Sequence, residues 1–170
     1  MGGELADPSS ESYAAAMNHW RLAAESDAPS IVTMCLALFA EDPGVRVLSA
    51  EDVRRTLSTF AAEPVRGSAV VLDLNGHCVG YALLASFWSN ELGGEICVID
   101  ELYVQPAARG NGHATALFHA LSSGGWPGRR PVALEVESTP SNLQARALYL
   151  RLGFKDKRNT TLRLVLADRA

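Results

Sequence analysis

The chain has no excess of positive charge. Fifteen Lys and Arg stand against nineteen Asp and Glu, a formal net charge of −4, whereas a protein that neutralises a nucleic-acid backbone needs a basic face. Nucleic acid is therefore not expected as the main partner. A mild acidic excess suits a cationic small molecule, and it also serves solubility. There is no Cys-x-x-Cys and no His/Cys cluster, because Cys35, Cys78 and Cys97 each stand alone inside an apolar pattern. Neither a zinc site nor a disulfide framework is indicated, and buried free thiols in a reducing compartment are the simplest account. His19, His77 and His119 share no ligand spacing, so no metal is expected. No apolar run is long enough for a membrane, and Met1–Ser12 is polar, without the apolar centre of a signal peptide. The expectation is a cytoplasmic protein without a membrane partner.

What is present is an ordinary globular balance, 48% hydrophobic and 20% charged over 170 residues, enough chain for one domain with a real core. Met1–Ser12 reads as a disordered leader and residues 13–170 as a single domain without internal repeats. A first strand is expected from His19 to Ala24, then a helix entered through Ser26 or Asp27 as cap with Pro29 in its first turn. Ile31, Met34, Cys35 and Leu38 give that helix its apolar stripe. Ser49, with Asp52 three residues on, opens a second helix. Ala69–Leu74 and Cys78–Phe87 read as strands joined at Asn75-Gly76, where both turn residues tolerate positive φ. Glu95–Val104 is the central strand. Further on come a helix, a strand at Pro131–Glu137, another helix, and a hairpin of Phe154–Asp156 with Thr160–Leu166.

The stretch between the central strand and the third helix organises the rest. Arg109-Gly110-Asn111-Gly112-His113-Ala114 joins a buried strand pattern to a helical face of Ala114, Leu117, Phe118 and Leu121. A helix start offers N–H groups without partners and a positive dipole end, and glycines let an anion approach them. Such a strand–turn–helix unit invites a phosphate. It lacks the Gly-Lys-Ser/Thr of a P-loop, and Thr115 stands where a dinucleotide fingerprint needs a third small residue.

Arg109-x-x-Gly112-x-Ala114 resembles the Arg/Gln-x-x-Gly-x-Gly/Ala signature of the GNAT superfamily of acyl-CoA-dependent N-acyltransferases. Asn142-x-x-Ala145-x-Ala147-Leu148-Tyr149-x-x-Leu152-Gly153-Phe154 is similar to that superfamily's last helix. The resemblance implies an α/β (α+β) fold: a mixed, mostly antiparallel central sheet of six to seven strands flanked by about four helices. It also implies acetyl-CoA as cofactor. The cofactor would be held at Leu102, Tyr103 and Val104 of the central strand, at Arg109, Gly110, Asn111, Gly112, His113 and Ala114, and at Asn142. His113 departs from the aliphatic residue usual at its position, with reach to the phosphates or a solvent-facing role both open. Asn142 has a second role open to it, as a helix N-cap.

Acetyl transfer to an amine needs a neutral amine, a donor for the developing oxyanion and a proton for the leaving thiolate. Tyr149 matches the tyrosine that the resemblance makes the acid; it also lies on an apolar stripe, where a core aromatic would sit. Asp100 and Glu101 are adjacent carboxylates in an apolar strand, costly there unless paired or functional. A regular strand turns only one of them to the substrate, and a bulge would change which. Asp100 is preferred as base, with an ion pair to a neighbouring Arg as the alternative. Trp88, Asn90, Glu91 and Glu95 form a polar-aromatic group suited to an ammonium. No Lys or Arg lies between Arg66 and Arg109. The resulting expectation is direct acetyl transfer, in a ternary complex, to the primary amine of a small, cationic acceptor. The lack of a cysteine in either motif speaks against an acetyl-enzyme. An acyl-CoA sensor or partner-binding module, and acetylation of a protein N-terminus or lysine, are the alternatives. A homodimer is left open.

Overall fold

In the computed structural model the residues described are 19–44, 46–124, 129–158, 161–164 and 166; the expected leader lies outside them. Among the described residues five strands and four helices follow one another as β1 (Trp20–Leu22), α1 (Ala28–Glu41), α2 (Ala50–Ala62), β2 (Gly67–Leu74), β3 (His77–Ser89), β4 (Gly94–Val104), α3 (His113–Ser122), β5 (Ala133–Val136) and α4 (Leu143–Arg151). The strands form one sheet in the order β1-β2-β3-β4-β5. All neighbours are antiparallel except β4 and β5, which run parallel. The class is the expected α/β one, with five strands among the described residues where six to seven were expected.

Local chemistry accounts for most of these elements. Asn75 (φ 54°) and Gly76 (φ 80°) make the tight turn between β2 and β3, and the Asp73 carboxylate accepts the Gly76 N–H at 2.8 Å. Ser49 and Asp52 cap α2 reciprocally. At α1 the expected cap is different. The Asp27 carboxylate turns back, accepting the Ala24 N–H at 2.7 Å and the Arg21 guanidinium at 2.7 and 3.0 Å. Pro29 takes the first turn of α1 as expected.

The sheet separates two cores. On one face α1 and α2 bring Ile31, Cys35 and Val53 against Val71, Tyr81, Leu83 and Tyr103. On the other, Leu117, Phe118 and Leu121 of α3 meet Val70, Ala82, Leu84, Cys97 and Ile99, with Tyr149 and Leu152 alongside. Strand alternation explains the division, since neighbours in β2 and β3 go to opposite faces.

The expected closing hairpin is the element that differs. The described residues of 154–158 and 161–164 carry no strand, while Asn159, Thr160 and Val165 lie outside the described residues. β5 is only four residues long, shorter than the expected Pro131–Glu137, so it offers little ladder on which to build. Leu162 and Leu164 stand almost fully exposed.

Candidate active site

β4 outruns its parallel partner. Its pairing with β5 ends at Ile99↔Val136, while pairing with β3 continues to Val104. Beyond Ile99, β4 therefore presents a free edge among the described residues. On that side lies a cleft of about 500 Å³, lined by Leu102, Tyr103 and Val104 of β4, the start of α3, Asn142, and Ala145, Leu148 and Tyr149 of α4. A larger cavity, about 880 Å³, lies between β5, α4 and the segment 154–157. Four of its charges are paired, Arg146 with Asp156 at 2.8 Å and Lys157 with Glu135 at 2.9 Å, and no helix starts there. The cleft on β4 is the better site for an anion.

Its anion end is the loop before α3. Gly110 (φ 81°) and Gly112 (φ 77°) both take left-handed backbone, and a Cβ at either would meet no atom within 4 Å. Gly112 is the N-cap of α3 and no side chain caps that end, so the first N–H groups keep their donors free. Asn111 braces the loop by donating to the carbonyls of Ala108 (3.1 Å) and Arg109 (3.2 Å). Ala114 lines the cleft, and so does His113. The His113 ring is half-buried against His19, 6.4 Å between centroids. Its Nδ1 is enclosed without a partner, and burial lowers its pKa. Arg109 is engaged along one edge and one face. Its Nε donates to the Val104 carbonyl at 2.7 Å, its Nη2 meets both Glu41 carboxylate oxygens at 2.9 and 2.8 Å, and its guanidinium lies 5.1 Å from the Tyr103 ring centre. An uncapped helix start reached across two Cβ-free residues fits the pyrophosphate of coenzyme A.

The middle of β4 holds a bulge. Leu83 faces Glu101 and Leu84 faces Ile99, so Asp100 is the extra residue. The phase of the strand slips by one there. Cys97 and Ile99 face α3, whereas Tyr103, also odd-numbered, belongs to the α1 core. Glu101 follows it to that side, accepting the Tyr81 hydroxyl at 2.8 Å and the Cys35 thiol at 3.3 Å. Burial raises the Glu101 pKa, and these two bonds oppose the rise. Burial also pushes the Cys35 thiol up to about 12. Asp100 keeps contact with solvent, yet partial desolvation lifts its carboxyl above the usual aspartate value, with Glu137 adding to the rise and Arg163 opposing it. Neither acid lines the β4 cleft itself. Tyr149 does, and its ring packs against Phe118 (5.7 Å) and Phe154 (5.8 Å). Burial raises its phenol and keeps it protonated. Asn142 caps α4, accepting the Ala145 N–H at 3.1 Å, and its amide reaches Asp42 at 3.4 Å.

The sequence model of the GNAT acetyltransferase family matches residues 33–154. This chain belongs to that family. Among solved structures it is similar to an integron cassette protein from the mobile metagenome of Cole Harbour Salt Marsh, at 25% identity and a TM-score of 0.73, covering 89% of this chain and 93% of that one. It is also similar to a possible acetyltransferase from Clostridium difficile 630, at 18% identity and a TM-score of 0.76 (88% and 97% covered). A predicted acetyltransferase from Clostridium acetobutylicum, solved with acetyl-CoA, shares 19% identity at a TM-score of 0.69 (89% and 98% covered). No protein of curated function matches.

In this GNAT chain the remaining sequence candidates sit apart from the cleft. Trp88, Asn90, Glu91 and Glu95 cluster at the β3–β4 hairpin end, where Ser89 pairs with Gly94. Trp88, Asn90 and Glu91 are exposed. Glu95 is engaged by Arg129 and Ser86. Sequence reasoning passed over Glu41, Asp42 and Glu137. Glu41 and Asp42 end α1, where Pro43-Gly44 marked only a helix stop; Glu137 follows directly on β5. Among the described residues no His, Cys, Asp and Glu group is arranged to hold a metal. No described helix is long and apolar enough to cross a membrane.

Proposed function

We propose that this chain transfers the acetyl group of acetyl-CoA directly to the primary amine of a small, cationic acceptor in a ternary complex. The observation that carries the reading is the cleft along the free edge of β4, with an uncapped helix start at one end and a protonated tyrosine in its wall. Bound there, acetyl-CoA supplies an electrophilic thioester carbonyl.

The chain's own residues supply the rest. The N–H groups at Gly110 to Ala114 hold the pyrophosphate, and Leu102 to Val104 offer backbone to the pantetheine arm. Asp100 takes the proton that the acceptor ammonium must lose before its nitrogen can attack. Its raised pKa suits that task, since a carboxylate with ordinary pKa is a poor base near neutrality. As the C–N bond forms and the C–S bond breaks, Tyr149 gives its hydroxyl proton to the departing sulfur, and the second proton lost by the attacking nitrogen restores the tyrosine hydroxyl. Glu101, held by Tyr81 and Cys35, braces the bulge from the α1 side. The reading places the chain in a reducing, cytoplasmic compartment, in keeping with three free thiols.

The test is release of free thiol from acetyl-CoA across a panel of amines. Release that depends on polyamines or amino sugars, with acetylated product by mass, is the expected result. Binding of acetyl-CoA without release on any amine would make the chain a sensor. Product only on peptide N-termini or lysines would move the acceptor to protein.

A further inference from the structure

The last residue of α1, Glu41, and its C-cap, Asp42, reach to either side in two directions. Glu41 meets Arg109 on the α3 side, where the Tyr103 hydroxyl also donates to it at 3.2 Å. Asp42, next along the chain, accepts the Thr139 hydroxyl at 3.0 and 2.9 Å and lies 3.4 Å from the Asn142 amide on the α4 side. Neighbouring residues of one helix end thus grip both lips of the fork between β4 and β5. These contacts join parts of the chain 62 to 100 residues apart.

The same geometry fixes what Arg109 can do. Its Nε and Nη2 are spent on the Val104 carbonyl and on Glu41, and one face of its guanidinium lies against Tyr103. An arginine offers its planar fork as a unit, so a fork already occupied along one edge is poorly placed to close bidentately on a phosphate. The N–H groups of the α3 start are uncapped and need no help from a side chain to hold an anion.

We infer that Glu41 and Asp42 form a clasp that sets the width of the cofactor cleft, with Arg109 as its strut and not a ligand of the phosphates. Glu41 and Arg109 are then positioning residues that act through the backbone of the Arg109–Ala114 loop. The inference rests on the acetyl-CoA reading of the cleft.

The test is titration calorimetry of coenzyme A over a salt series, on the wild type, Glu41→Gln, Arg109→Gln and the double variant, with melting curves to verify folding. For a clasp, each single variant weakens binding roughly three- to tenfold, and the double variant is no weaker than the worse single one. The slope of affinity against salt stays that of the wild type in Arg109→Gln, because no phosphate contact is lost. Asp42→Asn, on the opposite lip, weakens binding in the same direction. Tighter binding in Glu41→Gln, or a shallower salt slope in Arg109→Gln, would overturn the inference by making Arg109 a phosphate ligand that Glu41 restrains. A wild type that binds no coenzyme A would overturn the acetyl-CoA reading and the clasp with it.

Discussion

Gly112 answers two demands at one position: a left-handed backbone, φ 77°, and a surface bare enough for an anion to reach the first N–H groups of α3. Gly112→Val violates both, whereas Gly112→Ala adds the φ strain with much less bulk. Coenzyme A binding should therefore be abolished in Gly112→Val and only weakened in Gly112→Ala, with both variants still melting cooperatively. Calorimetry showing wild-type affinity in Gly112→Val would remove the cradle from the site. Tyr149 is tested by a smaller change. Tyr149→Phe keeps the packing on Phe118 and Phe154 and deletes only the hydroxyl. If that hydroxyl is the acid, turnover falls ~10²–10⁴-fold with cofactor affinity little changed. Unaltered turnover, with chemistry rate-limiting, would leave Tyr149 as a core aromatic. Asp100 has its own signature. Its carboxyl is raised by desolvation and by Glu137, so the acid limb of kcat/KM should lie above the ordinary aspartate range. Activity should drop as pH falls through that limb, and Asp100→Asn should abolish the limb itself.

At the scale of elements, β1 and the entry to α1 depend on one side chain. Arg21 pairs with Asp27 and with Asp73 of β2 at 2.7 and 2.9 Å, and Asp27 is buried. Removing Arg21 leaves a buried acceptor short of a donor, so Arg21→Met should cost ~1–2 kcal/mol, a figure kept low because Arg21 itself is partly exposed. The hydrogen bond from Arg21 comes first among the causes that hold the Asp27 carboxyl below its usual value. A depressed acid contributes stability above its unfolded pKa and loses it as pH falls below that value toward the folded one. Urea unfolding should therefore show the Arg21→Met deficit at pH 7 and a smaller one near pH 3; an equal deficit at both would refute the linkage. These elements were largely legible in sequence because their signals are local: Asn75-Gly76, the Ser49–Asp52 box, and the glycines before a helical face. What escaped reading depends on distance along the chain. Asp27 turned from cap to ion-pair partner because Arg21, held also by Asp73 of β2, meets it in the fold. The clasp at Glu41 and Asp42 is invisible to any window, and so is the partnership of Glu101 with Tyr81 and Cys35. Adjacency in sequence could not tell which of Asp100 and Glu101 faces where, since the answer depends on a single extra residue in β4. The closing hairpin was expected at Phe154–Asp156 with Thr160–Leu166; the described residues there carry no strand, beside a β5 only four residues long.

At the scale of the whole molecule, the sheet sets the distances over which charge can act. The acids of the β3–β4 hairpin and those at the fork belong to opposite parts of β4. Glu95 and Asp100 are separated by five strand residues, roughly 17 Å at ~3.3 Å each. The screening length is ~8 Å near physiological ionic strength, so the hairpin acids contribute little field at the bulge. Glu95 is further neutralised by Arg129. Asp100 and Glu137 are near enough for one to shift the pKa of the other, and they sit where β4 and β5 part. If the acceptor is a cation, this fork attracts it, and the effect must appear in binding of the acceptor more than in chemistry. Glu137→Gln should raise the acceptor's KM several-fold with little change in kcat, whereas Glu91→Gln should leave KM unaltered. Rising salt should raise the KM of a polyamine in the wild type and do so less steeply in Glu137→Gln. Steady-state kinetics at two salt concentrations on these three proteins decides it. An acceptor KM indifferent to salt, or a preference for anionic amines, would rule out a cationic acceptor while leaving the cradle and Tyr149 untouched.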